Sequence, residues 1–148
     1  WEIDLATRTL KWPENVEQVV NFPMPRTTDE VLAQLHPDDK AETAENLERV
    51  FREGGDFQFE YRVIHPDTGE VIWLRSAGVT LVGEDGVPVR FVGVTQDITE
   101  RKRAEIEREQ LLAERTAIME NMADGLTVAD PDGHFIYRNP ASLSLYGY

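Results

Sequence analysis

The chain begins with a regular alternation of apolar and polar residues. Over residues 1–5 every second residue is apolar, which is the pattern of a strand with one buried face. Residues 9–12 predict a second short strand, and residues 6–8 form the connection between the two. The chain is therefore expected to open with two short strands.

Two short helices are predicted next. Pro13 stops strand pairing and fits the first turn of a helix over residues 14–22, where apolar residues follow helical spacing. Further along, Thr27 and Glu30 have the spacing of a capping box, the usual start of a helix. A second short helix is therefore expected to begin after Thr27.

The third helix is predicted to be the longest of the globular part. It begins at His36, Pro37, Asp38 and Asp39, because proline is tolerated at the first helical position and acidic side chains favour the positive end of the helix dipole. The histidine and the two aspartates could instead bind a metal, but residues so close together at a helix start cannot all converge on one ion. We interpret the motif as structural and expect the helix to end at Gly54.

Three further strands are predicted as an antiparallel meander. Period-two alternation places them over residues 57–63, 71–82 and 89–98, with turn sequences rich in Asp and Gly between them. Gly93 lies inside the last of these strands. There it indicates either a bulge or a close approach of another group to the backbone.

A single long helix is predicted over about 100–122, because this segment consists of strong helix formers without Gly or Pro. Ala104, Leu111 and Ile118 recur every seven residues, and Met122 shares the complementary heptad position with three arginines. This half-polar seam fits either a solvated linker helix or a parallel two-stranded coiled coil. The coiled coil would make the chain a homodimer.

The strand pattern restarts in residues 123–148. Strand, turn, strand, proline and short helix follow in the same order as in the first residues of the chain, and the helix ends at Gly147 and Tyr148. Because later elements are missing from this second copy, we expect it to be an incomplete domain and the chain to be a piece of a longer protein.

Composition narrows the classes of function. The chain carries 28 Asp and Glu against 15 Lys and Arg, and its net charge of −13 would repel nucleic acid and anionic lipid. The absence of cysteine excludes a thiolate nucleophile and a cysteine-ligated metal. No serine elbow, phosphate-binding loop or membrane-length apolar stretch is present. We expect no catalytic residue, no metal site, no nucleic acid partner and no membrane contact within this segment.

Several motifs together resemble PAS sensory domains. The opening residues 1–5 and the motif at residues 36–39 match one subgroup of that family. The stretch from residue 57 to residue 102 resembles the C-terminal PAC motif of the same domains. Its most specific parts are Pro66-Asp67-Thr68-Gly69-Glu70, Val71-Ile72-Trp73-Leu74-Arg75 and Gly93-Val94-Thr95-Gln96-Asp97-Ile98-Thr99. Residues 122–133 and 139–148 resemble the opening of a second PAS domain.

The resemblance implies an α+β fold: a five-stranded antiparallel sheet with short helices on one face, followed by a long linker helix. It divides the chain into a PAS domain with PAC motif at 1–99, a signalling helix at 100–122 and the start of a second PAS domain at 123–148. Such arrays usually precede a histidine kinase of a bacterial two-component system, or a diguanylate cyclase. The implied location is the cytoplasm, with membrane attachment of the parent protein left open.

The resemblance leaves the ligand and any cofactor unassigned. The blue-light branch of the family needs a cysteine that attacks flavin, so the absence of cysteine excludes that photochemistry. The haem branch carries a histidine on the long helix, and residues 38–53 contain none. The resemblance therefore does not favour a histidine-ligated haem.

A small-molecule pocket between sheet and helices is implied by the resemblance. Its candidate lining residues are Leu47, Phe51, Phe59, Tyr61 and Phe91. Apolar residues at strand spacing would equally fill an ordinary core, so pocket and filled core both remain open.

The residues of greatest functional interest stand where the last strand meets the long helix. Asp97, Ile98 and Thr99 occupy this junction, and Asp97 or Thr99 can cap the helix. The resemblance implies that Asp97 and Thr99 couple the sheet to the helix, and Arg75 is the expected partner of Asp97. Two functions remain open: a non-catalytic sensor that detects a small ligand or a partner, and a ligand-free dimerisation or docking scaffold.

Overall fold

The computed structural model describes residues 1–16 and 20–145 and divides the chain into two compact units, Trp1–Thr99 and Glu100–Tyr148. The strands are β1 (Glu2–Asp4), β2 (Thr9–Lys11), β3 (Asp56–Ile64), β4 (Val71–Val82), β5 (Pro88–Asp97), β6 (Thr127–Ala129) and β7 (Phe135–Arg138). The helices are α1 (Thr28–Gln34), α2 (Pro37–Glu53), α3 (Thr99–Asn121) and α4 (Pro140–Leu145).

The first unit is the predicted five-stranded antiparallel sheet with helices. Its strand order is β2-β1-β5-β4-β3, so that the N-terminal hairpin lies beside the last strand. Strand and helix bounds agree with the sequence predictions to within one or two residues. Of the short helix predicted over residues 14–22, residues 17–19 lie outside the described residues, as do Gly147 and Tyr148 at the other end of the chain. The described residues 14–15 form a turn and residues 20–22 are not helical, so the predicted bounds of this helix are wrong at both ends.

The inner face of this sheet carries the core. α2 contributes Val50 to a buried cluster with Ile3 of β1 and Phe91 of β5. Partly buried residues pack around the cluster: Trp1, Leu5, Leu10, Phe51 and Phe57. Because β1 pairs directly with β5, residues from the two ends of the unit share this core.

Gly93 marks a close approach, which was one of the two alternatives predicted for it. A Cβ atom at this position would lie 2.7 Å from the carbonyl oxygen of Ala77 and 2.7 Å from the ring of Trp1. The ladder between β4 and β5 shifts its register between Leu81 and Val82 instead, so a bulge at Gly93 is wrong. The glycine is needed because the Trp1 ring lies against the strand.

The capping signals also act as predicted. The Thr27 hydroxyl accepts a hydrogen bond from the Glu30 amide at 3.2 Å at the start of α1. His36 caps α2, with its Nδ1 accepting from the Asp38 amide at 3.2 Å. α2 ends at Gly54, whose φ of 73° lies in the left-handed region that glycine tolerates.

Candidate functional site

The junction of β5 and α3 is closed by hydrogen bonds that involve both the sheet and the helix start. The Asp97 carboxylate accepts from the Thr99 amide at 2.9 Å and from the Thr99 hydroxyl at 2.6 Å. The same hydroxyl oxygen accepts from the Trp73 amide of β4 at 3.0 Å. The Ile98 amide donates to the Trp73 carbonyl at 2.9 Å. The first residue of α3 is thus bonded to two neighbouring strands.

Burial strengthens this attachment. Ile98 is 4% exposed and Thr99 is 8% exposed, although Asp97 and Glu100 on either side are exposed. A buried hydroxyl that both donates and accepts has few alternative orientations, so the start of α3 is attached to the beginning of β4 and to the end of β5. The predicted cap is therefore present and extends into the sheet.

The expected pairing of Arg75 with Asp97 does not form. In the β4–β5 ladder Arg75 lies opposite Gln96, whereas Asp97 lies opposite Leu74. Since alternate residues of a strand point to opposite faces, the side chains of Arg75 and Asp97 project from opposite sides of the sheet. The spacing in sequence suggested proximity, but the pairing register determines the face.

The aromatic residues expected around a pocket pack largely against one another. The Phe91 ring lies 5.1 Å from that of Phe51 and 5.3 Å from that of Phe57, between ring centroids. Phe57 also stacks on Phe59 at 5.2 Å. Phe91 is only 1% exposed, so this ring belongs to the filled part of the core. Leu47 on α2 is half-buried.

A surface cavity of about 590 Å³ lies beside the β1–β2 turn and the C-terminal half of α2. Phe51 is the one residue of the predicted pocket in its lining, which also contains Arg8, Glu48 and Arg90. Arg8 forms a two-pronged ion pair with Glu48 and lies over the Phe51 ring at 5.1 Å from its centroid. The pocket predicted between sheet and helices stays a prediction for the other four residues.

A chain of hydroxyl groups crosses the inner face of the sheet beside these rings. The Trp1 indole N–H donates to the Thr95 hydroxyl at 2.8 Å, Thr95 and Ser76 share a hydrogen bond of 2.7 Å, and Ser76 and Tyr61 share one of 2.8 Å. Burial raises the pKa of the Tyr61 phenol, against the smaller opposing effect of the Ser76 hydrogen bond. We call these four side chains the hydroxyl track.

The motif at residues 36–39 is a helix start, and it also attaches α2 to the edge strand β3. The Asp39 carboxylate accepts from the Arg62 amide at 2.8 Å and from its guanidinium at 2.6 and 2.9 Å. The His36 amide donates to the Arg62 carbonyl at 2.8 Å. Hydrogen bonds from the Arg62 side chain hold the pKa of Asp39 below its ordinary value. In the described part of the chain, no cluster of three potential metal ligands occurs.

The predicted heptad residues of α3 are exposed. Leu111 is 54% exposed and Ile118 57%, and Ala104 is exposed as well. Met122, which is 39% exposed, lies one residue beyond the end of α3. Arg101 and Glu105 form an i,i+4 ion pair on α3, with 3.7 Å between Nε and Oε1. Within the described ranges 1–16 and 20–145, no helix combines the length and apolar character needed to cross a membrane.

The second unit is organised by a buried asparagine. The Asn139 side-chain oxygen accepts from the amides of Leu126 and Ser142 at 2.8 and 2.9 Å. Its NH₂ group donates to the carbonyls of Met119 and Asp124 at 3.1 and 3.0 Å. Asn139 is fully buried, and these four bonds use its whole hydrogen-bonding capacity. It connects the last turn of α3 to Leu126, just before β6, and to Ser142 of α4.

Sequence reasoning missed the hydroxyl track and the Asn139 network. A signal for the first was present, because Ser76 and Thr95 are small hydroxyl residues at inward positions of strands otherwise rich in apolar residues. Their partners could not be identified without the pairing register. For Asn139 the sequence indicated a cap before Pro140, but not the bond to a helix carbonyl 20 residues earlier.

A family described as "PAS fold" matches residues 9–95, more than half of the chain. The sequence is 25% identical to the Sensor protein FixL of Bradyrhizobium diazoefficiens over 150 residues, which cover 100% of this chain and 30% of that protein. It is 29% identical over 135 residues to the methyl sulfide methyltransferase-associated sensor of Methanosarcina acetivorans, covering 86% of this chain and 12% of that protein. The chain thus spans less than a third of these relatives.

Solved structures agree in fold. A sensory box histidine kinase/response regulator from Burkholderia thailandensis matches with a TM-score of 0.59 and 28% identity, over 76% of this chain and 88% of that one. The N-terminal domain of a diguanylate cyclase with PAS/PAC sensor from Marinobacter aquaeolei matches with a TM-score of 0.62 and 20% identity. The match covers 69% of this chain and 95% of that one. At 20% identity, the likeness to the diguanylate cyclase domain shows the fold alone.

Proposed function

The chain belongs to the PAS fold family, and from that premise we propose that it is a non-catalytic sensory module whose first unit responds to a small ligand or a partner. The response passes through α3 to a C-terminal output domain, for which a histidine kinase is the first choice and a diguanylate cyclase the second. Relatives that are sensor proteins support the sensory part of this proposal. The proposal includes a cytoplasmic location.

The observation that carries the proposal is the bonded junction of β5 and α3. Thr99, the first residue of the helix, is held by Asp97 of β5 and by the Trp73 amide of β4. A change in the pairing of these strands would therefore move the helix start directly. A flexible connection would lose such a change before it reached the helix.

Two nearly balanced arrangements of the junction are required for switching. A ligand shifts an equilibrium only by its difference in affinity for the two states, and a tenfold difference supplies about 1.4 kcal/mol. The two hydrogen bonds of Asp97 to Thr99 contribute about 1 kcal/mol each, which is of the same order of magnitude as the free energy that this difference in affinity supplies. Removing them is expected to displace the balance measurably.

A ligand-free scaffold is the second candidate, and the packed aromatic cluster favours it. The Phe91 ring contacts both Phe51 and Phe57, at 5.1 and 5.3 Å between ring centroids, so this ring is packed on two sides by other aromatic rings. In that case the unit would serve dimerisation or docking through α3. Native mass spectrometry separates the two candidates, because a sensor of small molecules retains added mass and a scaffold does not.

The proposal is tested by Asp97→Ala in the protein that continues into the output domain. We expect basal output to change about tenfold, because about 1–2 kcal/mol of junction hydrogen bonding is lost. Asp4→Ala is the matched control, since the Asp4 carboxylate likewise accepts from two amides, those of Ala6 and Thr7, but in the β1–β2 turn. Equal output of Asp97→Ala and Asp4→Ala, with both variants folded, contradicts the proposal.

A further inference from the structure

Three hydroxyl groups lie side by side where an ordinary sheet interior would carry apolar side chains. Ser76 is 3% exposed, and Tyr61 and Thr95 are partly buried on the same face. Burying hydroxyls is favourable only when each is hydrogen-bonded, and an apolar replacement would pack at least as well. Polar groups that converge inside an apolar surface are typical of a ligand site.

The Trp1 side chain lies at the Thr95 end of these hydroxyls. Its N–H donates to the Thr95 hydroxyl at 2.8 Å, and its ring lies 5.7 Å from the Phe57 ring between centroids. Below it, Gly93 has no side chain, and a Cβ there would be 2.7 Å from the Trp1 ring. Gly78 beside it gives similar room to Phe57, at 2.9 Å from a hypothetical Cβ. The site thus has a flat backbone floor, an aromatic wall and one hydrogen-bond acceptor.

The Trp1 side chain is held in a way that allows a ligand to replace it. The Trp1 backbone is bonded to Gly93 in both directions at 3.0 Å, so the strand stays in place when the side chain moves. The ring itself is only half-buried, whereas Ile3, Val50 and Phe91 form the closed part of the core. Because the Trp1 ring packs against that cluster, a ligand ring that takes its place has to cover the cluster in the same way.

We propose that Trp1 is the resident occupant of a binding site for a planar aromatic molecule that carries a ring N–H, such as an indole. The ligand takes the site by displacing the Trp1 ring and donating its N–H to Thr95. This inference deepens the proposed sensory function and rests on it for its physiological meaning. Because Thr95 lies on β5 two residues before Asp97, occupancy acts on the strand that ends at the junction.

The Thr95 hydroxyl is the hydrogen-bond acceptor that explains why the site prefers a ligand with a ring N–H. The Thr95 hydroxyl can donate to Ser76 while its lone pair accepts from the ring N–H. A ring of the same size without N–H leaves that lone pair unpaired inside an apolar site. Indole and 1-methylindole differ at this group, N–H against N–CH₃. The Thr95→Val variant then shows whether a difference in their affinities comes from the lost hydrogen bond or from the volume of the added methyl group.

The test uses Trp1→Gly in the full 148-residue chain with indole and 1-methylindole as probes. Titration calorimetry and the shift in Tm should show that Trp1→Gly binds indole with a Kd of about 1 mM or tighter, at least tenfold tighter than the unaltered chain does. 1-Methylindole should bind Trp1→Gly five- to tenfold more weakly. Adding Thr95→Val should remove this difference between the two probes.

Trp12→Gly is the matched control, because the Trp12 ring is also half-buried and donates its N–H, but to the Pro25 carbonyl at 2.7 Å. No indole binding by folded Trp1→Gly, equal binding by Trp12→Gly, or equal affinity for both probes overturns the inference. If Trp1→Gly does not fold, Trp1→Phe replaces it, and failure of indole to bind this variant more tightly than the unaltered chain overturns it equally. These measurements involve no output domain, so their failure is distinguishable from failure of the Asp97→Ala test.

Discussion

At the scale of single residues, Asp39 shows how one carboxylate attaches a helix to a sheet edge. It accepts three hydrogen bonds from Arg62, one of them from the backbone amide on the outer edge of β3. Both side chains are about a quarter exposed, so the pair is shielded from water without being fully desolvated. An unpaired edge strand is open to association with other chains, and this contact occupies part of the edge.

Asp39→Asn is expected to lower the free energy of unfolding by about 2 kcal/mol at pH 7, because charge-assisted hydrogen bonds are lost. The folded-state pKa of Asp39 lies below its unfolded value, so its contribution is present above about pH 4 and disappears as the pH falls further. Urea unfolding of both proteins between pH 3 and pH 7 measures this, with Asp38→Asn as control since Asp38 is 76% exposed. A difference that persists unchanged at pH 3, or an equal loss in Asp38→Asn, contradicts this role.

The local part of this contact was predictable and the distant part was not. Pro37 and the acidic residues after it predict a helix start from sequence alone, because capping depends on neighbours within one turn. The pairing of Asp39 with Arg62 spans 23 residues and depends on where α2 crosses β3. The same holds for Trp1 and Thr95, which are 94 residues apart and meet only because β1 pairs with β5.

At the scale of elements, α3 presents apolar residues without covering them. Its predicted heptad residues Leu111 and Ile118 are both more than half exposed. Such residues do not stabilise a helix that is surrounded by water, because apolar area contributes to stability only when it is buried. A second copy of α3 packed in parallel would cover them, as in the two-stranded coiled coil that is one of the two alternatives predicted from the heptad pattern.

Leu111→Asp is expected to weaken dimerisation about 100-fold or more, because it places a charge in an apolar layer contributed by both chains. Ile106→Asp is the matched control, since Ile106 is 41% exposed on the same helix but lies outside the heptad seam. Sedimentation equilibrium over a wide range of concentrations measures the effect. A chain that is monomeric throughout, or equal weakening by both variants, shows that the seam does not hold a dimer.

Strands and helices themselves followed from the sequence pattern. Period-two alternation placed β4 at its observed bounds, Val71–Val82, and helix formers located α3 to within one residue. The strand order was implied only by the family resemblance, because alternation states which face of a strand is buried and not which strand lies beside it. The misplaced Arg75 shows the consequence, since a correct strand with an unknown register leaves its partners undetermined.

At the scale of the whole molecule, the account depends on a continuous helix between the sheet and whatever follows. α3 extends over 23 residues from Thr99, which corresponds to about 35 Å at 1.5 Å per residue. Its start is bonded to β4 and β5, and its last turn is bonded to Asn139 within the second unit. A helix held at both ends can transmit a rotation or a shift, whereas a flexible tether of the same length cannot.

The most direct test replaces exposed residues of α3 outside the heptad seam by either alanine or glycine in the protein that carries the output domain. The six positions are Glu105, Glu107, Glu109, Gln110, Glu114 and Thr116. The two variants have the same charge and length, but glycine disfavours the helix by about 1 kcal/mol per position, or about 6 kcal/mol in all. We expect the alanine variant to keep the dependence of output on residue 97 and the glycine variant to lose it, as measured by the ratio of output with Asp97 to output with Asp97→Ala. Equal ratios in the two variants would contradict transmission through a rigid helix.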